Sequence, residues 1–87
     1  MPDTNDETLA LQALVWTLAE PQRAMRLLDL TGLSPGDLRA SAGSRETLVA
    51  ALGFLEAHEP DLVACADGMG IAPAALVALR QRLETAS

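Results

Sequence analysis

The stretch 31–37, Thr-Gly-Leu-Ser-Pro-Gly-Asp, ends one helix and starts the next, and it decides the fold of this chain. Gly32 suits the left-handed conformation that terminates many helices. Next, Ser34 provides an N-cap, Pro35 fits the first helical position, and Asp37 places a carboxylate in the first turn. The sequence therefore predicts a helix that ends at this first glycine, and a short third helix that begins at this proline and is ended by Gly43.

This turn between two helices, in which a glycine ends one helix and a proline three residues later starts the next, is here called a corner, and it recurs later in the chain. Gly70-Ile71-Ala72-Pro73 matches Gly32-Leu33-Ser34-Pro35 at a distance of 38 residues, and Glu46-Thr47-Leu48 matches Glu7-Thr8-Leu9 at a distance of 39. A period in this range usually marks a helical unit that cannot bury its apolar face alone. The sequence therefore predicts an internal repeat, in which each unit contains a long helix, a short helix, a glycine stop and a further short helix.

Composition favours an all-α fold. Apolar residues make up 49% of the chain, most of them Ala and Leu, with one Trp, one Phe and no Tyr. We predict a compact bundle of five or six helices built from two similar three-helix units, at about residues 7–40 and 46–84. Residues 1–87 are expected to form a single helical domain, with fraying at residues 1–4 and 85–87.

Helical spacing predicts which side of each segment faces the core. In the first helix, expected to begin after a capping box at Thr4 to Glu7, Trp16 lies off the predicted core stripe, which consists of Leu11, Leu14, Val15 and Leu18. The second segment is expected to turn four residues inward, with Met25 and Leu30 flanking them: Ala24, Leu27, Leu28 and Thr31. In the later segments the predicted inward residues are Leu48, Ala51, Leu52 and Leu55, then Leu62, Val63 and Ala66, then Leu76, Leu79 and Leu83.

The charge balance restricts the classes of partner. Twelve acidic residues against six basic ones give a formal net charge of −6, which repels nucleic acid and anionic lipid. The single cysteine, Cys65, cannot form an internal disulfide and indicates a reducing compartment. The acidic segment Met1 to Glu7 is unlike a secretory signal, and no apolar run is long enough to span a membrane. We therefore expect a cytoplasmic protein.

No cluster of residues predicts catalysis or metal binding. His58 and Cys65 suggest a thiol–imidazole pair, but Pro60 interrupts the helical register between them, and one Cys and one His are too few for zinc. Five carboxylates that match no calcium loop are expected to form a solvated face: Asp29, Asp37, Glu56, Glu59 and Asp61. We predict that the chain is not an enzyme and uses no cofactor, metal or small-molecule ligand.

The duplicated corner leaves one alternative open. A glycine, an apolar residue and a leucine six residues after the glycine resemble the helix-turn-helix of bacterial regulators. The second helix of the first copy offers Pro35, Gly36 and Asp37 where base-reading side chains are needed, and only Arg80 and Arg82 of the second copy could contact phosphate. A degenerate nucleic-acid-binding or regulatory protein is therefore the alternative function.

Four bulky apolar residues are the candidates for contact with a partner: Trp16, Phe54, Met25 and Met69. In so small a chain such residues more often supply the bulk of the core. The alternative is an adaptable apolar surface that accepts a helix of another protein or a second copy of this chain. The leading functional hypothesis is accordingly a non-enzymatic protein–protein interaction module.

Two segments carry a resemblance to a known family. The run 27–39, Leu-Leu-Asp-Leu-Thr-Gly-Leu-Ser-Pro-Gly-Asp-Leu-Arg, together with residues 52–59, resembles a family of short alphaproteobacterial proteins, domain of unknown function family 3572. The similarity extends from about Glu7 to Leu83. The resemblance implies a helical fold and a bacterial cytoplasmic origin, and it brings no activity, cofactor or site residue.

Overall fold

Residues 4–85 form six α-helices in a computed structural model, and the structure describes this range only. No strand occurs within it. The all-α prediction, with five or six helices in a compact bundle, is confirmed. The helices are α1 (Thr4–Leu18), α2 (Pro21–Thr31), α3 (Pro35–Ser41), α4 (Arg45–Glu56), α5 (Glu59–Met69) and α6 (Pro73–Thr85).

Both glycine corners adopt the predicted conformation. Gly32 ends α2 with φ 74°, and Gly70 ends α5 with φ 72°, values that side-chain-bearing residues rarely adopt. Ser34 and Asp37 form a capping box, in which the amide of Asp37 donates to Ser34 Oγ at 3.1 Å and the amide of Ser34 donates to Asp37 Oδ2 at 3.3 Å. α3 ends at Ser41, two residues before the predicted stop at Gly43.

Side-chain caps also fix the starts of α2 and α4. Glu20 accepts hydrogen bonds from the amides of Gln22 at 3.1 Å and Arg23 at 2.9 Å. These two amide donors lower the pKa of the Glu20 carboxyl. Ser44 caps α4 by accepting from the amide of Thr47 at 3.2 Å. The capping box predicted at Thr4 concerns a side chain outside the described part of the structure.

α4 lies at the centre of the bundle and packs against α1, α2, α5 and α6. It buries the most side chains of the six helices: Thr47, Leu48, Ala51, Leu52, Phe54 and Leu55. The predicted apolar stripe of this helix is therefore confirmed, as are the inward leucines of α6. In contrast, α3 buries only Leu38. The two short closing helices predicted for the repeat also differ in length, since α3 has 7 residues and α6 has 13.

The predicted core face of α1 is only half correct. Leu14 is buried and Leu18 packs against the core, but Leu11 is 37% exposed and Val15 is 65% exposed. The face that packs on the core carries small side chains instead, with Asp6 at its start and then Ala10, Ala13, Leu14 and Thr17. Small residues are favoured on this face because they let the backbones of two packed helices approach closely. Thr17 satisfies its buried hydroxyl by donating to the carbonyl oxygen of Ala13 at 2.9 Å.

Smaller corrections apply to α2 and α5. Leu27 is buried as predicted, but the flanking Met25 and Leu30 are 63% and 66% exposed. On α5, Val63 faces solvent and Cys65 takes the inward position beside Leu62. The same helix continues through Gly68 to Met69, because the left-handed turn occurs only at Gly70. The fraying predicted for 1–4 and 85–87 falls largely outside the described residues and stays a prediction.

Candidate functional site

An open groove of about 470 Å³ lies between the end of α2 and the outer side of α4. This volume falls within the usual range of binding pockets, about 300–1,000 Å³. Most of its surface is apolar. The residues that line it are Leu30, Thr31, Leu33, Glu46, Thr47, Ala50, Gly53 and Phe54.

The α4 side of the groove is a regular helix face. Glu46, Ala50 and Gly53 follow one another at spacings of four and three, so they stack along one side of the helix. From Glu46 to Phe54 this face extends over about 12 Å, or two helical turns. Opposite it, Leu30 on α2 presents an exposed leucine side chain to solvent at the edge of the groove. Phe54 is 6% exposed and packs into the core beneath.

Gly53 is the most informative residue of the groove. It lies inside α4 with helical backbone, and a Cβ built at this position would meet no atom within 4 Å. A glycine in a helix interior costs roughly 1 kcal/mol relative to alanine. Gly32 and Gly70 need their positive φ, and a Cβ at Gly68 would contact the Trp16 indole at 3.4 Å. No such local reason applies to Gly53, whose missing side chain leaves the groove open.

Hydroxyl groups complete the end of the groove near the start of α4. Thr47 Oγ1 donates to Ser41 Oγ at 3.0 Å and accepts from Ser44 Oγ at 3.0 Å. The buried threonine is therefore satisfied within the chain. The polar group that reaches solvent here is the carboxylate of Glu46, an exposed residue in the first turn of α4.

The other end of the groove is marked by a cation. Arg26 precedes Leu30 by one turn on α2, and its guanidinium carbon lies 5.6 Å from the centroid of the Phe54 ring. One guanidinium nitrogen donates to Asp61 Oδ2 on α5 at 3.0 Å. The side chain of Arg26 is still 46% exposed. The groove therefore has an acidic residue at one end and, just beyond its other end, a basic residue that is paired with Asp61.

The structure does not bring the four predicted partner-contact residues together on one exposed surface. Met25 is exposed on α2, whereas Phe54 is buried beneath the groove. Trp16 and Met69 are partly buried and pack against the core. Sequence reasoning missed Leu30, Ala50, Glu46 and the central glycine as lining residues, although a glycine within the apolar run of α4 was a visible signal.

Trp16 is covered by a cation from its own chain. The guanidinium carbon of Arg23 lies 3.7 Å from the centroid of the Trp16 ring, and the same side chain donates to the carbonyl oxygen of Trp16 at 2.7 Å. A stacked arginine of this kind stabilises the α1–α2 corner through a cation–π contact. It also hides one face of the indole from solvent.

The geometry does not pair Cys65 with His58. Cys65 is fully buried, and its Sγ lies 3.8 Å from Sδ of Met69. Burial raises the pKa of the Cys65 thiol to about 11, so the thiol stays protonated at neutral pH. The Nδ1 atom of His58 lies 2.9 Å from Asp61 Oδ2. This arrangement does not supply an activated thiolate.

Three of the five carboxylates of the predicted solvated face are held by other groups of the chain. Asp37 closes the capping box of α3, Glu56 accepts from Arg80 of α6, and Asp61 accepts from Arg26. Between residues 4 and 85, no three or more His, Cys, Asp and Glu side chains are grouped so that they could hold a metal ion.

The corner between α5 and α6 has the angle of a helix-turn-helix motif, but its two arginines are engaged by carboxylates. α5 and α6 meet at 97°, within the range of about 90–120° that such motifs use. However, Arg80 is held by Glu56 and Glu84, and Arg82 donates to both carboxylate oxygens of Asp6 at 3.0 and 3.1 Å. Both arginines that the sequence offers to phosphate therefore face carboxylates of their own chain.

Over residues 4–85 no single helix is long and apolar enough to cross a bilayer. The sharply bent pair α5 and α6 reaches that length and apolar composition only when the two helices are counted together.

Comparison with known proteins identifies one family. Searches of curated proteins and of solved structures found no match. A family model described as "Protein of unknown function (DUF3572)" matches residues 3–86, which confirms the resemblance carried by the segment around Gly32; the alphaproteobacterial source stays a prediction. Because this match covers nearly all of the 87 residues, the chain belongs to the DUF3572 family of proteins of unknown function.

Proposed function

We propose that this chain is a cytoplasmic, non-enzymatic protein–protein interaction module that binds a helix of another protein in the groove between α2 and α4. The single observation that carries the proposal is Gly53, because a Cβ there would meet no atom within 4 Å beyond its two chain neighbours and the backbone of its own helix. Glycine at such a position permits the close approach of another backbone or side chain.

The dimensions of the groove fit a short amphipathic helix. Two turns of α4 line one side, and a helix laid along them would present apolar residues at i, i+3 or i+4, and i+7. Leu30 and Leu33 provide the apolar contacts of the opposite side. A protein partner also suits the chemistry, because the hydroxyls of Thr31 and Thr47 already donate to groups of their own chain and leave Glu46 as the charged residue of the lining.

Filling the groove tests this proposal. Gly53→Leu places a leucine side chain where the partner helix would lie, and the open space around position 53 allows the variant to fold. The matched control is Ala64→Leu, which adds a leucine at an exposed position of α5. Proteins retained from a lysate of the source organism by the wild type are compared with those retained by each variant, by quantitative mass spectrometry.

We expect at least one protein to be retained by the wild type and by the Ala64→Leu control, and to be lost from Gly53→Leu. A synthetic helix from that protein should then bind the wild type and shift the amide resonances of α4. Equal retention by all three proteins would show that the groove is not the binding site.

A second candidate, self-association, is favoured by the outer face of α1. The segment Thr8–Ala19 contains no charged residue, although 21% of the chain is charged. Leu11 and Val15 are exposed on this helix. Two copies, each with a net charge of −6, repel least where they meet along an uncharged face.

Sedimentation equilibrium over a range of protein concentrations tests this second candidate. A wild-type dimer that Val15→Glu converts to a monomer would support it, because the new carboxylate places like charges across the contact. A wild type that stays monomeric at the highest concentration would exclude it.

A further inference from the structure

Glu46 lines one end of the groove, and Arg26 lies just beyond the other end, beside Phe54 and paired with Asp61; both side chains reach solvent. Glu46 is an exposed residue at the start of α4, and Arg26 is 46% exposed beside Phe54. Along α4 the two ends are separated by about 12 Å. The groove therefore has an apolar floor, with an acidic side chain near one end and a basic side chain near the other.

We infer that the partner is a dipolar amphipathic helix, with a Lys or Arg that pairs with Glu46 and an Asp or Glu that pairs with Arg26. This inference rests on the proposed function and adds to it the charge pattern of the partner. On an α-helix, two residues about seven positions apart lie on the same face and are roughly 10 Å apart. The partner's two charges should therefore flank its apolar anchors at that spacing.

Arg26 can serve this purpose while it keeps its contact with α5. A guanidinium group has five N–H donors, and the hydrogen bond to Asp61 uses one nitrogen, Nη2. That bond holds the guanidinium near the Phe54 ring. A partner carboxylate would bind an arginine whose position is already fixed, so less side-chain entropy is lost on binding.

Charge pairs at the ends of the groove are expected to determine the orientation of the bound helix more than its affinity. Each lies at a partly exposed site, where an ion pair contributes about 0.2–1 kcal/mol. The apolar anchors over Gly53 and Leu30 would supply most of the affinity. Reversing the Glu46 charge should therefore weaken a matched helix by roughly five-fold, not abolish its binding.

A displayed peptide library provides the test. Its members are helices of about four turns with leucines fixed along one face. At each end of that face one position, roughly seven residues from the other, is randomised among Lys, Glu and Gln. The library is selected separately on the wild type, on Glu46→Lys and on Arg26→Glu, and each pool is then tested for binding to Gly53→Leu.

Selection on the wild type should enrich Lys at one end and Glu at the other. Selection on Glu46→Lys should enrich Glu at both ends, and selection on Arg26→Glu should enrich Lys at both. Pools that bind Gly53→Leu much more weakly but show no preference at their ends would overturn the dipolar inference and leave the groove as the binding site. Pools that bind Gly53→Leu as well as the wild type, or a library that yields no binder, would overturn the proposed function itself.

Discussion

At the scale of the residue, Cys65 shows how burial determines chemical behaviour. Its side chain is inaccessible to solvent and lies beside Met69 in the core. Because an apolar site disfavours the thiolate, the pKa of the thiol rises to about 11. The lone cysteine of the sequence is therefore an apolar core residue at neutral pH.

This shift predicts how stability depends on pH. In the unfolded chain the thiol ionises near its ordinary pKa of about 8.5, whereas in the folded chain it keeps its proton until about pH 11. Its contribution to stability is therefore complete below about pH 8.5 and is lost as pH rises toward 11, by about 3 kcal/mol in total. Urea unfolding of the wild type between pH 8 and 11 measures this loss.

Cys65→Ala is the control for that measurement. The chain contains no Lys and no Tyr, so Cys65 is the side chain that titrates in this window. The variant should be less stable than the wild type at pH 8, but its free energy of unfolding should be nearly independent of pH up to 11. A wild type and a variant with the same pH dependence would contradict the assignment.

Gly53 gives a second prediction at the residue scale. Gly53→Ala should raise the free energy of unfolding by about 0.5–1 kcal/mol, because alanine has the higher helix propensity and its methyl group would meet no neighbouring atom. Gly32→Ala, at φ 74°, should lower the stability instead. Thermal unfolding of the two variants measures the expected gain in stability and the expected loss. A Gly53→Ala variant less stable than the wild type would show that the glycine serves the fold.

At the scale of the element, α1 shows that an apolar pattern can identify a helix without identifying its buried face. The helix is apolar on two sides, with Leu11 and Val15 on one and Ala10 and Ala13 on the other. The alanine side faces the bundle because it permits close contact with the neighbouring helices, of which α4 is the main one.

Two adjacent residues of α1 test this assignment. Leu14 is 2% exposed, so Leu14→Ala should reduce the free energy of unfolding by about 2–5 kcal/mol. Val15 is 65% exposed, so Val15→Ala should change it by less than about 0.5 kcal/mol. Chemical denaturation of both variants provides the measurement. Similar losses in the two would show that the exposed side of α1 is also packed in solution.

At the scale of the whole molecule, arginine–carboxylate pairs join helices that are distant in sequence. Arg26 joins α2 to Asp61 of α5, and Arg80 joins α6 to Glu56 of α4. The pair between Asp6 and Arg82 joins α1 to α6, and it is bidentate, with both oxygens of the carboxylate engaged. Such pairs fix the relative position of helices whose apolar faces alone would allow sliding.

A double-mutant cycle on Asp6 and Arg82 tests the closure of the bundle. The variants Asp6→Asn, Arg82→Gln and their combination should give a coupling free energy of about 0.5–1 kcal/mol, since Arg82 is 53% exposed. Because the pair is partly screened, the coupling should fall in high salt. A coupling of zero at low salt would show that the contact does not hold α6 to α1 in solution.

The sequence by itself determined the helices. Ser34, Ser44, Gly32 and Gly70 act through hydrogen bonds and backbone conformations that involve only near neighbours in the chain, so the helix boundaries could be predicted closely. The faces of α4 and α6 followed as well, because their inward positions carry most of the larger apolar side chains. The internal repeat stays a prediction, although both of its glycine corners have the expected geometry.

Only the tertiary structure decided which side of α1 is buried, that Val63 faces outward and Cys65 inward, and that a groove lies between the end of α2 and the outer side of α4. These features depend on how closely two surfaces from distant segments fit, and that fit is a property of shape and volume. A groove has no local signature, because its walls belong to different helices. A glycine within the apolar run of α4 was the one sign of the groove in the sequence, and its role became apparent only from the open space beside Gly53 in the structure.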